Sequence, residues 1–257
     1  MKRLLLSVLA APCLAATPLD AVNRALLAGD AASAWPALAT SWPQLDSQAQ
    51  RDSWQAALAA LAAEHCGKDA PLQLPPWQPM LTLELAQRDM PLARSYRVTL
   101  SGEGDARSAQ LLDDHGSNLL AGARYEAEGG RRFRLTGPDL AAPLAGGRYR
   151  LLLQAGQQQW QAQLLLPAVA NLGWLARQPL GVARLPAPRA ACPAPWLEQS
   201  LLRRSDFALL WWQRRAPGQA LRWPPANGEQ WQSLALVQAE ARGALVLRVV
   251  QRQVGPR

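Results

Sequence analysis

The sequence predicts an α+β fold that is mainly β, and three observations carry the prediction. Apolar residues recur at helical spacing only ahead of residue 70. From Met80 onward the apolar period drops to two, the spacing of a strand with one buried face. Clusters of Gly, Asp and Ser then cut the alternating stretch into short runs.

The opening residues stand apart from that fold. Met1-Lys2-Arg3 is basic, Leu4 to Ala11 is apolar but too short to cross a bilayer, and Cys13-Leu14-Ala15-Ala16 offers a small-x-small site. Together they read as a signal peptide over 1–16, cleaved after Ala15 or Ala16. Cys13 raises a lipid-anchor reading, but Pro12 occupies the position where lipidation needs a small residue. No later run reaches the roughly 18 apolar residues of a spanning helix. A periplasmic protein that does not span the membrane is expected, with secretion as the alternative.

Residues 17–70 form the helical segment. Leu19, Val22, Leu26 and Leu27 share a helical face before Gly29-Asp30, and Trp35, Leu38 and Trp42 continue the spacing until Pro43. Asp46 or Ser47 can cap a longer helix through Trp54, Leu58 and Leu61 to His65, with Gly67 as its stop. The run from Ala25 to Trp35 resembles the small-residue crossing of a tetratricopeptide hairpin. It does not recur at that repeat's period of about 34 residues. A free-standing stack needs several units, so a lone helical hairpin docked on the following domain is expected.

Pro71 to Pro79 is a break marked by Pro75-Pro76. Beyond it alternate Leu81, Leu83 and Leu85; Tyr96, Val98 and Leu100; Phe133 and Leu135; Tyr149, Leu151 and Leu153; and Trp160, Ala162, Leu164 and Leu166. Turn chemistry separates them at Ser101 to Asp105, Asp114 to Ser117, Gly129-Gly130, Gly146-Gly147 and Ala155-Gly156. About seven short strands in this space make an immunoglobulin-like β-sandwich over 71–168, without that family's internal disulfide.

The remaining third, 169–257, reads as a second, smaller β domain. Pro179 to Pro195 is rich in Pro and Ala, and candidate strands follow at Phe207 to Gln213, Ala220 to Trp223, Trp231 to Gln238 and Ala244 to Gln253. A loop at Pro224-Pro225-Ala226-Asn227-Gly228 divides two of them. This part carries twelve basic against four acidic residues, whereas 17–70 carries three against six and 71–168 ten against nine. The positive charge is therefore a property of the C-terminal domain. After cleavage Cys66 and Cys192 remain, and an even count in an oxidising compartment favours one disulfide, here tying the helical segment to the last domain.

Residues with acid–base chemistry form no catalytic constellation. Asp113, Asp114, His115 and Ser117 supply the residue types of a hydrolase triad, but within one turn, and a triad converges from separate elements. His65 and His115 lie in unrelated segments, so no metal site is expected, and no cofactor motif is present. Glu126 and Glu128 are the best local carboxylate pair for a glycosidase, on a strand where a solvent-facing position is the simpler reading.

Tryptophan is the unusual component, with eleven against two Phe and three Tyr. Trp211 and Trp212 are adjacent, and on a strand they point to opposite faces, so one of them turns away from its own core. Arg203, Arg204, Arg214 and Arg215 flank them. Those six residues are the candidate binding surface, of a composition found at interfaces and on anion or sugar sites. A contact between domains of this chain is the competing reading. Nucleic acid is disfavoured by location.

The order of parts resembles a poorly characterised family of exported gamma-proteobacterial envelope proteins. The resemblance rests on an Ala- and Leu-rich helical segment ending Glu64-His65-Cys66-Gly67, a strand-rich middle with Gly146-Gly147-Arg148-Tyr149-Arg150-Leu151, and Ala191-Cys192-Pro193. It implies no known activity, and it implies association with envelope-sensing systems. The expected function is a non-enzymatic adaptor contacting an acidic protein or anionic envelope polymer through the basic C-terminal domain. The alternative is a glycan-binding or glycan-hydrolysing protein.

Overall fold

A computed structural model of the chain describes residues 17–176, 180–225 and 229–256. The expected signal peptide with Cys13, the centre of the loop at 226–228 and Pro179 lie outside the described residues. Strand accounts for 43% and helix for 17%, so the chain is mainly β.

Three helices open the fold: α1 (Asp20–Leu27), α2 (Ala31–Ser41) and α3 (Gln48–Glu64). The segment is thus larger than a single hairpin, because two separate caps divide it. Asp30 accepts from the Ser33 N–H at the start of α2, and Ser47 from the Gln50 N–H at the start of α3. Val22, Trp35, Leu38, Trp54, Leu58 and Leu61 close a small core to which Leu165 contributes from the β part. Leu27, expected on the buried face, is exposed.

Seven strands follow: β1 (Met80–Asp89), β2 (Arg94–Glu103), β3 (Ser108–Leu112), β4 (Arg124–Ala127), β5 (Arg132–Thr136), β6 (Gly147–Ala155) and β7 (Gln158–Leu166). Strands β1, β2, β5 and β4 are hydrogen-bonded in that order, and β3, β6 and β7 form a separate three-stranded sheet. One core lies between the two: Leu81, Leu83, Leu85, Val98, Leu100 and Phe133 on one side meet Leu111, Leu151, Leu153, Leu164 and Leu166 on the other. Each set has the period of two that the sequence showed, because alternate residues of a strand turn into the space between the two sheets.

After the short pair β8 (Leu175–Ala176) and β9 (Gly181–Val182) come β10 (Trp196–Arg203), β11 (Leu209–Arg215), β12 (Gln230–Arg242) and β13 (Leu245–Pro256). These four do not stand as a separate sheet. β13 pairs parallel with β1 from Leu81↔Leu245 to Asp89↔Gln253, and the result is one eight-stranded sheet ordered β11-β10-β12-β13-β1-β2-β5-β4. The reason is visible in the side chains: Leu245 and Leu247 enter the same core as β1, while their strand covers an edge of β1 that would otherwise present unpaired backbone. Ala220 to Trp223, expected as a strand, is not one; Leu221 packs on Leu197, Leu234 and Leu236, and the Arg222 carbonyl accepts from Gln199.

Two devices fix the remaining edges and linkers. β12 outlasts β10, and the chain after α3 fills the exposed part of its edge: the Cys66 carbonyl accepts from Ala241 N–H and that of Gly67 from Gly243 N–H. Gly67 is required there, with φ +69° and the Ala241 carbonyl oxygen 2.0 Å from where a Cβ would stand. Beside it, Cys66 and Cys192 form the expected disulfide, with Cα atoms 4.9 Å apart.

The linker after β7 is held by buried amides. Gln87 accepts from the Leu172 N–H, and Gln251 accepts from the Trp174 and Leu175 N–H groups. Both glutamines donate to Asp89, which also accepts from Arg94 Nε at 2.6 Å. Burial alone would raise the Asp89 pKa, but hydrogen bonds from Gln251, Arg94 and Gln87 outweigh it and hold the carboxyl below its usual value. A carboxylate with a depressed folded pKa contributes stability that is complete above its unfolded pKa and lost as pH falls towards the folded one. Urea midpoints measured from about pH 6 down to about pH 3 are therefore expected to fall less steeply in Asp89→Asn than in the parent. An identical slope would remove Asp89 from the acid response.

Candidate functional site

The expected binding residues lie at one end of the eight-stranded sheet. β11 is its terminal strand and, among the described residues, pairs only with β10, from Leu197↔Arg215 to Leu201↔Trp211 and again at Leu202↔Leu209. A register shift at Leu201/Leu202 leaves Leu210 without a cross-strand partner, a bulge that twists the start of β11.

Alternation divides the six candidates rather than gathering them. Trp211 and Arg215 face one side with Gln213, while Trp212 and Arg214 face the other. On the first side Trp211 lies 6.0 Å from the Trp223 ring, and Arg215 donates to Gln199 and Gln213, so that face is tied to its own chain. On the second, the Arg214 guanidinium sits 4.0 Å above the Trp196 ring, which Arg248 also approaches at 5.6 Å. Trp212 is 50% exposed on that side. Arg203 ends β10 and Arg204 opens the turn after it: Arg203 pairs with Asp206 and Arg204 with Glu229, Arg204 also lying over Trp231. Among the described residues neither Arg214 nor Arg215 makes an ion pair.

The structure adds residues that the sequence did not single out. Phe207, Leu209 and Leu210 are exposed beside Trp212, with Leu209 at 61%. Phe207 adopts φ +57° and stacks on Trp231 at 6.1 Å. A run of exposed apolar residues in Phe207 to Trp212 was legible as composition, but its exposure depends on β11 being the last strand.

The acid–base candidates are engaged elsewhere. Asp113 Oδ1 accepts from the His115 and Ser117 N–H groups, which shapes the turn rather than a triad. Asp114 accepts from Trp42 Nε1 and pairs with Arg148, docking the turn on the helical segment. Burial, then Asp113 and Asp114, push the Tyr149 pKa up to about 12, and its hydroxyl donates to the Ala145 carbonyl. Glu126 pairs with Arg124 and Glu128 with Arg134. Among the described residues no group of three or more His, Cys, Asp or Glu is placed to hold a metal ion, and no helix is long and apolar enough to cross a membrane.

Fold and site define a disulfide-linked, mainly β chain with three N-terminal helices and an aromatic, arginine-bearing sheet edge. The chain belongs to the DUF2861 family, described as proteins of unknown function, whose model matches residues 14–254. No curated protein matches it. Among solved structures, a chimeric titin Z1Z2 functionalized with a KLER exogenous peptide from decorin is 12% identical over 69% of this chain and 97% of that one, with a TM-score of 0.20. A TM-score that low supports no inference about fold or function.

Proposed function

We propose that this chain is a non-enzymatic binding or adaptor protein of the periplasm, exported through its N-terminal segment, that holds an acidic envelope partner at β11. The observation that carries this reading is the exposed Phe207, Leu209, Leu210 and Trp212 on a strand whose Arg214, on the Trp212 face, makes no ion pair among the described residues. Exposed apolar clusters rimmed by charge mark contact surfaces. A +8 C-terminal third would speed encounter with an anion and make it salt-sensitive. The ion-paired state of Glu126 and Glu128 and the structural role of Asp113 favour a binding role over a catalytic one.

The finer architecture belongs to the same proposal. The order β1-β2-β5-β4 against β3-β6-β7 matches A-B-E-D against C-F-G of a constant-type immunoglobulin sandwich. Tyr149, near the start of β6, hydrogen-bonds back to Ala145 as the tyrosine corner of that fold does. Both support an immunoglobulin-like middle module extended by β13, β12, β10 and β11.

Polyglutamate and isolated peptidoglycan separate the two readings. Binding to polyglutamate is expected, with loss at about 0.5 M salt, where exposed charges are screened. The Trp212→Ala/Arg214→Ala variant is expected to bind on the order of tenfold more weakly while its urea midpoint stays near the parent's, since both are surface positions. Glycan binding that survives the salt and is lost on Trp211→Ala or Trp212→Ala would replace the adaptor reading with the glycan one.

A further inference from the structure

We infer that the partner binds by adding a strand: an extended acidic segment of another protein pairs with β11 along Trp211–Arg215 and lengthens the eight-stranded sheet. This inference rests on the adaptor reading and says how its surface is used. Alternate residues of an edge strand turn their N–H and C=O groups outward, where no described strand meets those of β11.

The sheet's two ends differ in how they are guarded. β4, at the opposite end, is only four residues long and carries an ion pair between Arg124 and Glu126. Short, charged strands are the usual protection against unwanted pairing. β11 is seven residues long, its apolar residues from Leu209 to Trp212 are unguarded, and its bulge lies before Trp211, leaving the last five residues in regular register. An unprotected edge of this kind is a template for strand addition.

Charge selects the occupant. Pairing two copies would bring together two C-terminal thirds that each carry twelve basic against four acidic residues, and in-register pairing would also set Arg214 and Arg215, which make no ion pair among the described residues, beside their counterparts. A segment with adjacent acidic residues opposite Arg214 and Arg215 places one carboxylate on each face of the sheet, because neighbours on a strand alternate. Apolar residues opposite Trp211 and Trp212 complete the pattern. For antiparallel pairing that reads Glu-Glu-Thr-Val-Val, and for parallel pairing the reverse.

Capped peptides of both sequences, and versions N-methylated at one position at a time, test this against the full-length processed chain. One of the two is expected to bind and to slow hydrogen exchange at alternate amides within 211–215. N-methylation on the edge facing β11 is expected to weaken binding on the order of tenfold, and on the far edge to change little. If polyglutamate binds but neither peptide does, or if no single N-methyl group matters, strand addition falls while the adaptor reading stands. If the chain is a dimer whose β11 amides are protected without peptide, a second copy is the occupant and the proposal is overturned. If polyglutamate itself fails to bind, the underlying adaptor reading falls with it.

Discussion

Replacing Cys66 and Cys192 together with serine is expected to lower folding stability by about 4 to 5 kcal/mol. The bridge closes a loop with a sequence separation of 126, and the chain-entropy cost of such a loop rises with its length. What the loop contains makes the loss cooperative. It begins where α3 ends, passes through β1 to β9, and returns just before β10, so reduction frees the helical segment and the β10–β11 end of the sheet at once. The Cys66 and Gly67 carbonyls would then hold the edge of β12 without covalent support. Urea unfolding of the double variant, compared with the oxidised and reduced parent, reads the effect. A variant whose midpoint matches the oxidised parent would show that the backbone hydrogen bonds of Cys66 and Gly67 to the β12 edge, not the cross-link, carry the attachment.

The elements that were legible in the sequence are those whose signals are local. Asp30 and Ser47 cap helices by accepting from the N–H three residues on, and β1 and β6 turn alternate leucines into the core, so their period of two survives. β10 escaped because it has little alternation to see. Trp196 and Leu197 are both buried, one beneath Arg214 and Arg248 and the other beneath Trp174, Leu180 and Leu221. The parallel joint between β13 and β1 links residues some 160 positions apart, and nothing in either strand's pattern specifies a partner at that distance. The candidate surface fared similarly. The cluster of Trp and Arg was visible as composition, but which of its members face solvent follows from strand order and from the pairing of β11 with β10 alone.

Glu240 and Arg242 show the same limit in energetic form. Within an alternating strand they look like solvent-facing charges, yet Arg242 is 2% exposed and lies where α2, β7 and β12 meet. Its Nε donates to the Leu165 carbonyl, its guanidinium lies 5.3 Å from the Trp35 ring, and Glu240 pairs with it at 2.6 Å. Arg189 pairs with the other Glu240 oxygen. Burial pushes the Arg242 pKa down to about 9, which still leaves it protonated at neutral pH. Among the described residues Glu240 is the only carboxylate in reach of either guanidinium. Glu240→Gln is therefore expected to cost roughly 3 to 5 kcal/mol, because it strands a buried cation. Arg189, being partly exposed, can turn towards water; Arg242 cannot. Removing both charges with Arg242→Met and Glu240→Leu is expected to cost less than the sum of the single changes, since the one cation left without Glu240 is the partly exposed Arg189. A double-mutant cycle in urea measures that coupling. If the two costs simply add, Arg242 acts here through its contacts with Leu165 and Trp35 rather than as the partner of Glu240.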